Sequence, residues 1–255
     1  MEYSHIRTNE VDMSNFPSHM HNEYEILYFL EGDADYTIEG SLYTLRKHDV
    51  LVIRPRTYHN LLPKSNAFYE RYVINFAADE LPDGVAEALS ELSPACSVGG
   101  DPFITGFFEA WGKYEEMMSV DRLSAFISSC VPALVMSLGH AKRREASRDT
   151  KTDARLKQVL DYIDTHPEQT VSVGSLSERF YMSPSWLSHM FSERMGIGIM
   201  QYAARKRMLY AQKLISEGTP PTKAAELCGI DNYSTFYRQY RKTIGAPPRN
   251  GRKDT

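Results

Sequence analysis

Residues 18–32 read SHMHNEYEILYFLEG. His19 and His21 are one residue apart, so in an extended segment both imidazoles lie on one face. Glu25 follows four residues after the second histidine. Imidazoles with a carboxylate form a donor set suited to Zn, Ni, Mn or Fe(II). The same side chains also suit an organic ligand, or satisfy one another, and the stretch by itself leaves these readings open. A second group with chemistry sits near the other end of the chain, where Tyr233, Ser234, Tyr237, Arg238 and Arg241 crowd together. An arginine there can take a guanine bidentately, and a tyrosine can meet a thymine methyl or a phosphate.

The elements that must position the first group read as strands. YEILYFLEG, ADYTIEG, LYTL, VLVI and YERYVINF are short runs rich in Tyr, Val, Ile and Phe, separated by turn residues such as Glu31-Gly32-Asp33 and Glu39-Gly40-Ser41. Their near-regular spacing predicts an antiparallel sandwich or barrel. Pro82, Gly84, Pro94, Gly99, Gly100 and Pro102 break that pattern. Helical periodicity follows, with Leu123, Phe126, Ile127, Cys130, Leu134, Val135 and Leu138 on one stripe. That stripe either covers the barrel or also pairs with its copy in a second subunit. AKRREASRDTKTDAR is polar and charged and reads as an interdomain linker.

The elements that must position the second group read as helices, and they repeat. SLSERFYMSPSWLSHMFSERMG and AAELCGIDNYSTFYRQYRKTIG each carry a small residue, Ser177 or Ala225, on a first helix, then a turn, then a second helix. Leu187 and Phe236 are 49 residues apart, as are Phe191 and Tyr240. Ser183 followed by Pro184 is a helix start, and Asn232 can cap its counterpart. Gly196 and Gly245 end the two second helices. Two short helices crossing at small residues form a helix-turn-helix, and two copies joined by a helix are far more specific than one. The joining segment IMQYAARKRMLYAQKLISEG keeps Ala204, Met208, Ala211 and Ile215 on one face. About 18 residues at ~1.5 Å per residue give a rod of roughly 27 Å. Successive major-groove segments lie ~34 Å apart, so one chain can address two turns of one DNA face.

With Leu187 and Phe191 inward, the first recognition helix turns Ser185, Ser188, His189 and Ser192 outward. With Phe236 and Tyr240 inward, the second turns Tyr233, Ser234, Tyr237, Arg238 and Arg241 outward. Arg205, Lys206, Arg207, Arg241 and Lys242 are assigned to phosphate contacts or to solubility, Arg207 alternatively to packing over the joining helix. The charge balance agrees. The chain holds 29 Lys and Arg against 33 Asp and Glu, but residues 151–255 hold 16 against 10 and the remainder 13 against 23. Three scattered cysteines form no ligand pattern and suit reduced buried thiols. The opening residues carry acids and no apolar core of a secretory leader, and no apolar run is expected to cross a bilayer.

The C-terminal part is similar, over roughly residues 155–250, to the paired helix-turn-helix domain of AraC/XylS-type bacterial transcription regulators. The matching stretches are LSERFYMSPSWLSHMF, RKRMLYAQKLI and AAELCGIDNYSTFYRQYRKTIGAPP. The family's Phe after Gly229 is Ile230 here, its Phe late in the last helix is Tyr240, and its aromatic-Arg ending is blurred into PPRNGRK. The N-terminal part resembles the cupin-type sensor barrel of many such regulators: His19, His21, three residues, Glu25, six residues, Gly32. In the second cupin motif His59 stands at the fourth ligand's place, while His48, Arg54 and Arg56 replace the usual Gly, Pro and Gly.

The resemblance implies a two-domain α+β protein. An antiparallel cupin or jelly-roll-like sensor barrel occupies residues 1–100 and a helical region, with possible dimerisation, residues 101–142. A linker at 143–154 leads to the paired helix-turn-helix domain at 155–255. It implies double-stranded DNA and a small-molecule effector, such as a sugar or related metabolite, as partners. RNA polymerase is a further partner, and the chain is expected to be a cytoplasmic homodimer that spans no membrane. The expected effector pocket comprises His19, His21, Glu25, Tyr28, Tyr36, Arg54, Tyr58 and His59, with Tyr24 and Arg56 near them in sequence. The possible set for a divalent transition metal is His19, His21, Glu25 and His59. Two other readings stay beside this one: a metal-dependent cupin enzyme fused to a DNA-binding domain, and a regulator whose barrel only dimerises.

Overall fold

A computed structural model describes residues 1–9, 18–145 and 152–249. The chain divides into two compact units, Met1–Arg148 and Asp149–Thr255. The middle of the expected linker lies outside the described residues. Its first residue, Arg143, belongs to a strand of the first unit, and its last residues belong to the first helix of the second.

The first unit is built from antiparallel strands. β1 (Glu2–Thr8), β2 (Tyr24–Glu31), β3 (Ala34–Ile38), β4 (Ser41–Thr44) and β5 (Asp49–Ile53) are followed by β6 (His59–Pro63), β7 (Tyr69–Phe76), β8 (Ala95–Ser97) and β9 (Lys142–Arg143). One sheet runs β1-β7-β2-β5-β8-β9 and the other β4-β3-β6. β2 is buried on both faces, which is why its sequence is a nearly unbroken apolar run. Leu27 and Phe29 pack between the sheets with Tyr36, Leu51, Leu61, Tyr69 and Val73. Ile26 and Tyr28, one residue out of phase, face a helical layer instead.

That layer consists of α1 (Asp83–Leu89), α2 (Pro102–Tyr114) and α3 (Val120–Leu138). Asp101 caps α2 by accepting from Phe103 and Ile104 N–H, and Pro102 follows at the first helical position. Trp111, Phe107 and Phe108 of α2 and Ile127, Val131 and Leu134 of α3 meet the outer face of the large sheet. Nineteen residues long and apolar, α3 meets the length and composition of a bilayer span, contrary to the sequence expectation that no run would. Its buried stripe runs from Leu123 to Leu138 within this core, while Val120 and Met136 of the same helix are exposed.

β1 is one of the strands that the sequence reading missed. EYSHIRT is polar, because it is an edge strand paired only with β7. It is held by ion pairs as well as by the ladder. His5 lies between Glu70 (2.8 Å) and Glu115 (2.7 Å), and Arg7 Nε donates to Glu70 Oε1 at 2.9 Å. Burial pushes the Glu70 carboxyl up, but hydrogen bonds from Arg7 and His5 outweigh it and hold it below the usual carboxylate value. A depressed carboxyl stabilises the fold above its unfolded value and loses that contribution as the pH falls through the folded one. Glu70→Gln should therefore cost about 1–3 kcal/mol at neutral pH. In urea titrations the gap to wild type should close below pH 4.5, the ordinary glutamate value.

The second unit is helical: α4 (Thr152–Thr165), α5 (Val173–Arg179), α6 (Pro184–Met195), α7 (Ile199–Ser216), α8 (Pro221–Leu227) and α9 (Tyr233–Ile244). Phe236 and Tyr240 of α9 pack with Met208, Ala211 and Ile215 of α7 and Ala224 and Ala225 of α8. In the first half, Leu187 and Phe191 of α6 are fully buried, and the Phe191 ring meets Tyr202 of α7 at 5.5 Å. The inward face of α7 uses Ala203 rather than the expected Ala204, which is exposed. Ala211 lies eight residues, a little over two turns, from Ala203.

Candidate metal centre and nucleic-acid interface

At one end of the sandwich, four side chains from three stretches of chain converge. His19 and His21 precede β2, Glu25 lies in β2, and His59 opens β6. Their ligand atoms all lie within 4.8 Å of one another. Reciprocal backbone hydrogen bonds of 3.1 Å pair His19 with His59, and Arg56 N–H donates to His21 carbonyl at 2.7 Å. Glu25 is buried and joins the two sheets, since Tyr36 of β3 donates to its Oε1 at 3.3 Å.

The ring orientations follow from carbonyl partners, which can only accept. His21 Nδ1 faces Glu23 carbonyl at 2.9 Å and His59 Nδ1 faces Thr57 carbonyl at 2.9 Å, so both Nδ1 atoms carry hydrogen. Both Nε2 atoms then point toward Glu25 Oε2, at 3.1 Å for His21 and 3.6 Å for His59. The second distance is too long for a hydrogen bond, and His59 Nε2 is buried without a partner. Burial pushes the Glu25 carboxyl up, but the His21 and His59 rings outweigh it and hold it well below the usual range. His21 is lowered by burial, yet its bond to Glu25 leaves it raised overall. The donor set fits a cation: imidazoles fixed through Nδ1 to carbonyls, with Nε2 and a carboxylate oxygen facing one point.

His21 also lines a cavity of about 400 Å³ at this mouth, with Met1, Glu2, Glu23, Asn75, Ala77 and Glu80. Sequence reading missed these residues: Glu23 lies beside His21, and the others come from the start of the chain, the end of β7 and the segment after it. It also missed Arg71 of β7, which is largely buried, donates to Tyr69 hydroxyl at 3.3 Å and lowers Glu25 by its charge. Of the other expected pocket residues, Tyr36 joins the four. Tyr28 lies on the opposite face of β2, stacked on Phe108 at 4.0 Å with its hydroxyl on His48. Tyr24 shares that outer face, stacked on Phe76. Arg54 bonds the carbonyls of Ser90 and Leu92, away from the four. Tyr58 is buried, and its carbonyl accepts from Glu39 N–H.

His48 and Arg56, which replace two motif glycines, have φ of 66° and 64°. The backbone keeps the left-handed turns although the residues no longer favour them, at a cost on the order of 1 kcal/mol each. Arg56→Gly should raise the denaturation midpoint by removing that strain, a gain of about 0.5–1 kcal/mol in urea unfolding.

In the second unit the caps form as the sequence predicts. Ser183 accepts from Trp186 N–H and Asn232 from Thr235 N–H, while Gly196 and Gly245 end their helices at φ of 66° and 81°. Ser185, His189, Ser192, Tyr233, Ser234, Tyr237, Arg238 and Arg241 are exposed, and Ser188 is half-buried. Ser192 hydroxyl bonds back to Ser188 carbonyl, and His189 lies 3.7 Å from Glu193. Tyr237, Arg238, Arg241 and Lys242 line one surface hollow on α9. Among the joining-helix cations, Lys206 bonds Asp164 of α4 at 3.0 Å and Arg207 bonds Gln169 carbonyl at 2.7 Å. Both tie α7 to the first half. Trp186, exposed on α6 with Arg155 over its ring at 5.5 Å, and Tyr181, 93% exposed at φ 53°, were not anticipated. An isolated aromatic gives no periodic signal.

A family model described as AraC-like ligand binding domain matches residues 6–159, and one described as helix-turn-helix domain matches residues 176–254. The chain is 34% identical over 129 residues to the probable transcriptional regulator LumQ of Photobacterium leiognathi, covering 49% of this chain and 50% of that protein. It is 25% identical over 139 residues to the arabinose operon regulatory protein of Escherichia coli (strain K12), covering 54% and 44%. It is 24% identical over 250 residues to the HTH-type transcriptional activator RhaS of Yersinia pestis (strain Pestoides F), covering 93% and 89%. The chain thus spans about half the length of the first two relatives.

If Arg238 reads a base, Arg238→Ala should cost about 1–3 kcal/mol and relax selectivity at one base pair. Lys242→Ala should weaken all sequences alike and reduce the salt slope by about 1. Binding titrations at several salt concentrations separate the two.

Proposed function

Because this chain belongs to the AraC family, we propose that it is a sequence-specific DNA-binding transcription regulator controlled by a small molecule bound at the mouth of its N-terminal barrel. One observation carries this reading: two capped helix-turn-helix units with Arg238, Arg241 and Tyr237 exposed on α9 and His189 and Ser185 on α6. Arginine and tyrosine on an exposed recognition helix suit base edges and phosphates. The effector site is the mouth cavity beside His21, with Glu25, Tyr36 and His59 beneath. Barrel mouths are frequent ligand sites, and the mixture of carboxylates, an amide and imidazoles there suits a polar metabolite.

The regulator works in the cytoplasm as a homodimer and contacts RNA polymerase at its promoters. Exposed Met117, Val120 and Met136 at the helical layer support a subunit contact. The protein is not an enzyme. The His and Glu set is a binding device, since its relatives are named regulators.

Genome-wide mapping of bound DNA, followed by footprinting on the sites found, tests the first half. Protection of two adjacent major-groove segments on one DNA face is expected. Uniform protection of random sequence would overturn it. Thermal shift against metabolites encoded near those sites tests the second half, because a specific ligand raises the melting point by mass action.

A further inference from the structure

We infer that Arg155, held over the ring of Trp186, is a DNA phosphate contact that the first helix-turn-helix draws from outside itself. The inference rests on the regulator reading above and concerns how the two halves grip one duplex. The recognition helices differ in charge. α9 carries Arg238, Arg241 and Lys242 and no acid. The exposed side of α6 carries Ser185, Ser192 and His189, and the histidine lies 3.7 Å from the Glu193 carboxylate. Arg194, in the last turn of α6, is half-buried and has a partner of its own. Hydroxyls read bases, but a helix in the major groove takes much of its affinity from cations at the flanking phosphates.

Arg155 meets that need. It lies near the start of α4, is exposed, and places its guanidinium carbon 5.5 Å from the centre of the Trp186 ring. That distance is within reach of a cation–π attraction. Among the described residues no carboxylate pairs with it. A ring face attracts the charge without accepting from its N–H groups, so the donors stay available for a phosphate. The ring also restricts the long side chain beforehand, which lowers the entropy lost on binding. Trp186 is the third residue of α6, and the first residues of a recognition helix are those that enter the groove. It stands about 100° round the helix from exposed Ser185 on one side and from buried Leu187 on the other. A guanidinium over that ring therefore sits at the rim of the groove, where the sugar–phosphate backbone passes, rather than over the bases. The second half lacks the device: 49 residues beyond Trp186 stands Thr235. Its cations lie on α9 itself.

The test measures binding of the full chain to a mapped target duplex and to a random duplex at several salt concentrations. Arg155→Ala should weaken both by about three- to tenfold, lower the salt slope by about 1 and keep the melting point. Phosphate-ethylation interference should lose one phosphate beside the half-site that α6 reads. Lys157→Ala, exposed on the opposite flank of α4, should change none of these. Trp186→Ala should weaken binding in the wild-type background and add little to Arg155→Ala, because the two side chains act as a unit. Trp186→Phe, which keeps a ring under the charge, should retain most of the affinity. Unchanged affinity and salt slope in Arg155→Ala overturns the contact. So does a loss confined to the target duplex, which would make Arg155 a base reader. A lowered melting point with unchanged DNA binding reduces the pair to a packing contact and also overturns it. Fully additive effects of the two alanine variants overturn the part given to the ring. If the wild-type chain binds no duplex at all, the regulator reading falls and the contact with it.

Discussion

A carboxylate buried between two β-sheets needs donors or a cation around it, and Glu25 imposes that demand on the first unit. Leaving an ionised carboxylate in such a place without partners costs several kcal/mol, so the fold must bring partners from elsewhere in the chain. Tyr36 from the small sheet donates to it, His21 from the approach to β2 lies 3.1 Å away, and His59 from the start of β6 brings a ring nitrogen to 3.6 Å. Those contacts set the spacing of the sheets at this end and pair the His19 and His59 backbones. The left-handed turns at His48 and Arg56 deliver β5 and β6 to that arrangement, and the chain tolerates non-glycine residues there. Apolar packing of Leu27, Phe29 and Leu51 fills the rest of the interior.

The second unit solves a different problem twice. Each half must end a seven-residue helix abruptly and start a recognition helix within four or five residues. Both use the same closure: Met182 N–H returns to Ser177 carbonyl, and Ile230 N–H to Ala225 carbonyl. The residue that must go left-handed is Gly229 in one half and Tyr181 in the other. Glycine takes that conformation freely, whereas Tyr181 takes it at a cost and holds its ring in solvent. The halves share α7, whose Tyr202 hydroxyl and Lys206 ammonium both bond Asp164 of α4. The joining helix is thus fixed at its first half by polar contacts and at its second by the Met208–Ile215 face.

The paired helix-turn-helix, its caps and its inward residues were legible in the sequence because they are local. Cap residues, helical periodicity and a 49-residue repeat are set by neighbours along the chain. The apolar strands β2, β3, β5 and β7 were legible for the same reason. β1, β6 and β8 were not, since polar EYSHIRT, the five residues HNLLP and the three residues ACS become strands only by pairing with neighbours far along the chain. Likewise Tyr28 and Tyr36 look equivalent as tyrosines on apolar strands. Only the sheet decides that one faces the helices and the other faces Glu25.

The sequence by itself determined that the chain has an acidic sheet-rich part and a basic helical part. It also supplied the histidine and glutamate types that could meet a cation. His59, 38 residues beyond His21, joined that set in the sequence only through the resemblance; tertiary structure alone decided that Arg54 turns away from it, and that the start of the chain, the end of β7 and the segment after it supply most of the mouth. Residue type and short-range spacing act within a few residues. Which lone pairs face which oxygen depends on strand register and turn direction, and those emerge only when distant strands pair.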